Sequence, residues 1–258
     1  MEFTVLAVGD VVGDAGVDFL SAHLRAVRRQ KAVHFCVVNG ENAAGLGILP
    51  RQADALLDAG ADVITLGNHT FARTQILPYL DDCPRILRPA NLAPQLPGRG
   101  FGVFEAAGGL RVAVGNLIGR CGMDFGLENP FFEADRLLKR CAADLVLFDF
   151  HAEATSEKIA MAYHLDGRAA AVWGTHTHVP TADERVFPKG TGYITDLGMT
   201  GPMESVLGIR PEQSVTFFLG GLPGRFETAG GPCRMDACLF VLDPERNRCL
   251  SAERLSIQ

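Results

Sequence analysis

Five apolar runs in the chain each close on a short polar cluster: "FTVLAVGD" on Gly9-Asp10, "HFCVVNGEN" on Gly40-Glu41-Asn42, "ADVITLGNHT" on Gly67-Asn68-His69, "ADLVLFDFHAEA" on His151, and "AAAVWGTHTH" on His176 and His178. Apolar runs of this length, with little polar alternation, suit strands covered on both faces. Segments with helical spacing separate them, among them "VDFLSAHLRAVRRQ", "LPRQADALLDAG" closed by Gly60, and "RTQILPYLDD". Buried strands alternating with amphipathic helices predict a layered α/β sheet.

The remaining pattern extends this architecture. "GRGFGVFEAAGGLRVAVGNLIG" predicts a hairpin around Ala107-Gly108-Gly109, "FFEADRLLKRC" a helix, and "SEKIAMAYHLDG" a helix with Ser156 as N-cap. "TGYITDLGMTG" reads as one further strand, and the tail as a closing hairpin about residues 243–247. No linker, repeat or low-complexity block interrupts the chain, so a single domain over residues 1–258 is expected.

Composition narrows the partners. The net charge of −6 and the shortness of the basic run "RAVRR" leave no footprint for duplex nucleic acid. A small phosphate ester fits, provided that metal ions bring the positive charge. Seven cysteines, none spaced Cys-x-x-Cys, suit reduced thiols in a cytoplasmic protein, and "MEFTVLAVGD" fits neither a signal peptide nor a membrane span.

The polar clusters carry the chemistry. In open α/β sheets, ligands bind beyond the carboxyl ends of strands, so Asp10, Glu41, Asn42, Asn68, His69, His151, His176 and His178 are expected to converge. Singly, Asp10 or Asn68 could be a turn former and His151 a satisfied buried histidine. Together they form a set of carboxylate, amide and imidazole donors without thiolate, which suits iron, manganese or zinc in a hydrolytic centre rather than a closed structural zinc site. One bridging carboxylate would give ligands enough for two ions, and such a pair, roughly 3.5–4 Å apart, grips a phosphoryl group and activates water.

These elements resemble the calcineurin-like metallophosphoesterase superfamily, with two departures: Val12 stands where the first-strand histidine is usual, and Glu41 beside Asn42 replaces the bridging aspartate. Both departures, with "GDVVG", "VNGENAAG", "ITLGNHT", "RPAN", "PGRG", "DFHAEATSEK", "GTHTHVPTADER" and "YITDLGMTGP", are similar to YmdB-type bacterial phosphodiesterases. The resemblance implies a four-layer αββα sandwich and two metal ions per chain, iron first with manganese or zinc as alternatives. It also implies hydrolysis of small phosphodiesters, 2′,3′-cyclic nucleotides to 3′-nucleotides, by a hydroxide generated on the metals.

Residue by residue, the resemblance puts Asp10, Glu41, Asn42 and His178 on one ion, and Glu41, Asn68, His151 and His176 on the other. His69 becomes the proton donor to the leaving 2′ oxygen. Glu153 and Asp196 are candidate supports for ligand histidines. Thr155-Ser156-Glu157 is a candidate phosphate site or helix cap, and Arg99 and Arg120 are candidate substrate contacts. The alternatives are another phosphoesterase, such as a nucleotidase or phosphomonoesterase, and a weakly catalytic metal-dependent regulatory or RNA-associated protein. Self-association into a homo-oligomer is compatible with the apolar hairpins.

Overall fold

The computed structural model describes residues 2–123 and 128–258. The chain opens with β1 (Phe3–Val8), β2 (Asp10–Val11), α1 (Gly13–Gln30), β3 (Phe35–Asn39), α2 (Pro50–Ala59), β4 (Val63–Thr65), α3 (Ile76–Asp82) and β5 (Ile86–Leu87). A hairpin of β6 (Phe101–Glu105) and β7 (Arg111–Ile118) leads to α4 (Pro130–Arg140), β8 (Leu145–His151), α5 (Thr155–Leu165) and β9 (Ala171–Thr175). Then come β10 (Arg185–Val186), β11 (Gly192–Ile194), β12 (Met199–Pro202), α6 (Pro211–Phe218) and the terminal hairpin of β13 (Cys233–Asp243) and β14 (Arg248–Ile257).

The strands form two sheets. One has the order β2-β12-β13-β1-β3-β4-β5 with β14 paired to β13, the other β10-β11-β9-β8-β7-β6. Strands β1, β3, β4 and β5 run parallel, as do β7, β8, β9 and β11, while both hairpins are antiparallel.

The period-two alternation of each strand decides the layers. In the first sheet, Leu6, Val8, Cys36, Val38 and Ile64 pack against Leu20 and Leu24 of α1 and Leu56 of α2. Their neighbours Val5, Ala7, Phe35, Val37 and Val63 face the second sheet and meet Val112, Val114, Leu145, Leu147 and Trp173. On the far side of that sheet, Ala113, Val146, Phe148 and Val172 pack against Ala134 of α4 and Met161 and Leu165 of α5. This is the expected αββα sandwich, and it explains why the strand runs carry so few polar residues: both faces are buried.

Two local expectations are corrected. "TGYITDLGMTG" is not one strand, because β11 ends at Ile194 in the second sheet and the chain crosses at residues 195–198 to enter β12 in the first. Gly198 makes the crossing with a positive φ of 87°. Ser156 does not cap α5 either; Ala154 is the N-cap and supplies no side-chain bond. All seven cysteines are unpaired. Among the described residues, no helix is long and apolar enough to cross a membrane.

Trp173 stacks on Phe240 between the sheets with ring centroids 5.9 Å apart. Trp173→Ala is expected to cost about 3–5 kcal/mol in urea denaturation, and a cost below about 1 kcal/mol would mean that the inter-sheet layer is not closely packed there.

Candidate metal centre

The C-terminal ends of β1, β3 and β4 in one sheet meet those of β8 and β9 in the other. At the centre of this junction His151 Nε2 lies 3.1 Å from Glu41 Oε1, 2.9 Å from Asn68 Oδ1 and 3.1 Å from His176 Nδ1. Glu41, His151 and His176 thus offer ligand atoms within 4.8 Å of one another. One proton on His151 Nε2 cannot serve three acceptors. The spacing is that of neighbouring ligands around one ion, since bonds of about 2.1 Å at right angles put donor atoms roughly 3 Å apart. Nothing larger than hydrogen fits at Gly67, where a Cβ would overlap Glu41 Oε2 and the His151 ring.

A second set of donors adjoins the first. Asp10 Oδ1 lies 3.8 Å from His178 Nε2, and Asp10 Oδ2 accepts from the His176 backbone N–H at 3.2 Å. Asn42 is placed by its backbone carbonyl, which accepts from Gly13 N at 2.9 Å beside the Asp10 strand. Asp10 Oδ1 and Asn42 Oδ1 are both buried without a hydrogen-bond partner. An unpaired buried acceptor typically costs about 1–3 kcal/mol, and a cation would satisfy both. The residues present therefore fit metal ions: oxygen and imidazole donors, buried, converging, and in two cases orphaned.

Each of the three inward histidines has its outer nitrogen engaged, as ligating imidazoles require. His178 Nδ1 donates to the Leu207 carbonyl at 3.1 Å, and His176 Nε2 donates to Glu153 Oε2 at 3.1 Å. His151 Nδ1 meets Thr175 Oγ1 at 2.9 Å, whose hydroxyl donates onward to Asp149 Oδ1 at 2.7 Å. His178 Nε2, His176 Nδ1 and His151 Nε2 are thereby turned towards the centre. His176 and His178 achieve this from left-handed backbone, with φ of 102° and 63°, which turns two residues of one loop inward.

That strained loop is held from below. Asp196 Oδ2 accepts from the Thr177 N–H at 3.2 Å and from Lys158 Nζ at 2.6 Å, an ion pair 1% exposed on both sides. Asp196 thus acts on the loop backbone, whereas Glu153 contacts an imidazole directly. The Glu157 carboxylate does not cap its own helix; it accepts from the backbone N–H groups of Arg120 and Cys121 at 3.0–3.2 Å. Arg99 lines a separate cavity with Asp62 and Arg85. Asp149 and Lys158 were not foreseen. Asp149 could have been, since a carboxylate inside a doubly buried strand, two residues before His151 and on its face, must meet polar partners.

Charge follows this geometry. Burial raises Asp10 to about 6 against the pull of His178 and His151. Burial opposes ionisation of Glu41 too, but the neighbouring His151 and His69 bring it down to about 2. Burial disfavours the His151 imidazolium, yet Glu41, with Asp10 and Asp149, lifts it to about 9. His176 is depressed to about 3 by burial and the His151 charge. His69 lies beside the cluster: its backbone N–H donates to Glu41 Oε2 at 3.1 Å, and its Nε2 accepts from Asn68 Nδ2 at 3.2 Å. Burial lowers its pKa below the usual imidazole value.

Comparisons with known proteins find relatives over nearly the whole chain. The family described as YmdB-like protein matches residues 6–255. The 2′,3′-cyclic-nucleotide 2′-phosphodiesterase of Bacillus subtilis is 42% identical over 98% of this chain and 96% of its own length. A crystal structure of a novel phosphatase from Mycoplasma pneumoniae superposes with a TM-score of 0.93 at 34% identity, covering 100% of this chain and 94% of that one. A hypothetical protein from Thermus thermophilus superposes with a TM-score of 0.91 at 40% identity, covering 99% and 100%.

Two outcomes follow from the geometry. Gly67→Ala is expected to abolish metal uptake while the far-ultraviolet dichroism stays native, and undiminished uptake would show that the donors converge elsewhere. In metal-free protein His151 is protonated below about 9, so a metal must expel that proton. Affinity should therefore rise with pH towards that value, and calorimetry in buffers of different ionisation enthalpy should record proton release. A pH-independent affinity would contradict a ligand role for His151.

Proposed function

The chain belongs to the YmdB-like family, and on that premise we propose that it is a metal-dependent phosphodiesterase that opens 2′,3′-cyclic nucleotides at the 2′ ester to leave 3′-nucleotides. The observation that carries the reading is the convergence of Glu41, Asn68 and His176 on His151 Nε2 beside the unpaired oxygens of Asp10 and Asn42. Asp10, Glu41, Asn42 and His178 would hold one ion, and Glu41, Asn68, His151 and His176 a second. Ions bound there, iron with manganese or zinc as alternatives, supply positive charge to the phosphoryl oxygens and lower the pKa of water.

The chain's own residues orient and move protons. Glu153 and Leu207 O fix the tautomers of His176 and His178, and the Lys158–Asp196 pair fixes the loop that bears them. Water releases one proton to solvent, its oxygen bonds to phosphorus as the bond to the 2′ oxygen breaks, and His69 gives its proton to the departing oxygen. The seven unpaired cysteines support a reducing, cytoplasmic setting.

His69→Ala is expected to retain metal and to lower turnover of 2′,3′-cyclic AMP by roughly 10²–10⁴-fold. The loss should be much smaller with bis-p-nitrophenyl phosphate, whose acidic leaving group needs no proton. Equal losses on the two esters would remove His69 from the donor role.

A further inference from the structure

A cavity of about 710 Å³ borders the candidate metal centre at one residue and carries an aromatic wall. Asn42 is one of its lining residues, and Leu207, whose carbonyl holds His178, is another. Phe217 of α6 and Phe226 line it as well, with ring centroids 5.9 Å apart and planes at 74°. Both rings are about half exposed, at 53% and 44%. Exposed aromatic faces contiguous with a candidate site mark a place where a ligand, rather than the protein, completes the packing.

The polar lining narrows that ligand. Arg73 and Arg225 both line the cavity of a chain whose net charge is −6. The Arg73 guanidinium is fixed by the carbonyls of Leu46 and Ala44 at 2.9 and 2.7 Å. Glu227, also on the wall, is taken up by Arg210 at 3.0 Å, and among the described residues Arg225 has no ion-pair partner. Val12 lines the same space with an aliphatic surface, at the position where the resemblance would put a metal-binding histidine. Aromatic faces with an arginine suit a flat heteroaromatic ring, which stacks on both and presents acceptors at its edge. The volume lies within the range of roughly 300–1,000 Å³ typical of small-molecule sites.

The geometry points to a nucleobase pocket: Phe217, Phe226 and Arg225 hold the base of the ester whose phosphate sits at the metal centre. This rests on the phosphodiesterase reading, because the two sites share Asn42 and one substrate must span them. It assigns substrate selectivity to the segment around α6, which contributes no metal ligand.

The test compares two substrates with one reactive group: 2′,3′-cyclic AMP, and ribose 2,3-cyclic phosphate, which lacks the base. In Phe217→Ala the ratio of kcat/KM for the first to that for the second is expected to fall about 5- to 100-fold, the loss typical of removing one stacked aromatic. Phe217→Tyr, which keeps the ring, should retain the wild-type ratio. Because Phe217 is half exposed, the alanine variant is expected to fold, and its metal content and melting temperature check this. A ratio in Phe217→Ala within about twofold of wild type, with the abasic ester turned over, would overturn the pocket and leave the phosphodiesterase reading standing. If wild-type metal-loaded protein turned over neither ester, the phosphodiesterase reading and the pocket would fall together.

Discussion

The carboxylate of Asp149 is shared by the two sheets directly beneath the donors. Its Oδ2 accepts from Thr65 Oγ1 at 2.5 Å and from Asn39 Nδ2 at 3.3 Å, both in the first sheet, while its Oδ1 accepts from Thr175 Oγ1 in the second. It is fully buried, and burial raises its pKa even though three donors oppose the shift. From it run two short chains of bonds. Through Asn39, whose Oδ1 accepts from Glu41 N at 3.1 Å, it sets the backbone of one donor. Through Thr175 it fixes the ring of His151. A sandwich whose sheets were joined by apolar packing alone could slide by fractions of an ångström, and donor atoms spaced at about 3 Å would lose their common centre.

The strain in the centre is concentrated on one loop. His176 and His178 both occupy left-handed backbone, which costs on the order of 1–3 kcal/mol each and persists only when surrounding structure over-determines it. The buried Lys158–Asp196 pair, through the Thr177 amide, supplies that constraint, and Glu153 and Leu207 lock the rings from outside. The same region therefore joins structural rigidity to chemical readiness.

The strand ends carrying Asp10, Glu41, Asn68, His151 and His176 were legible because a parallel sheet brings carboxyl ends to one edge whatever lies between them in sequence. The αββα layering was legible only through resemblance, since period-two patterning says that both strand faces are buried but not what covers each. The crossing at residues 195–198 was missed because Thr195-Asp196-Leu197 reads as continuous strand, and only Gly198 hints at the turn. Lys158 left no signal: a lysine on an amphipathic helix is ordinarily solvated, and its burial follows from Asp196, 38 residues away. Asn42 was singled out as a ligand from its motif, and its amide oxygen is buried without a hydrogen-bond partner.

Elemental analysis of protein purified without chelator, with hydrolysis of 2′,3′-cyclic AMP assayed on the same preparation, tests the metal centre most directly. About two ions per chain, the number a bridged pair requires, with turnover that tracks metal content and is lost in Asn68→Ala, is the predicted result. No metal after reconstitution with iron, manganese or zinc would contradict a centre built on His151, and turnover undiminished in metal-free protein would contradict its role in the reaction.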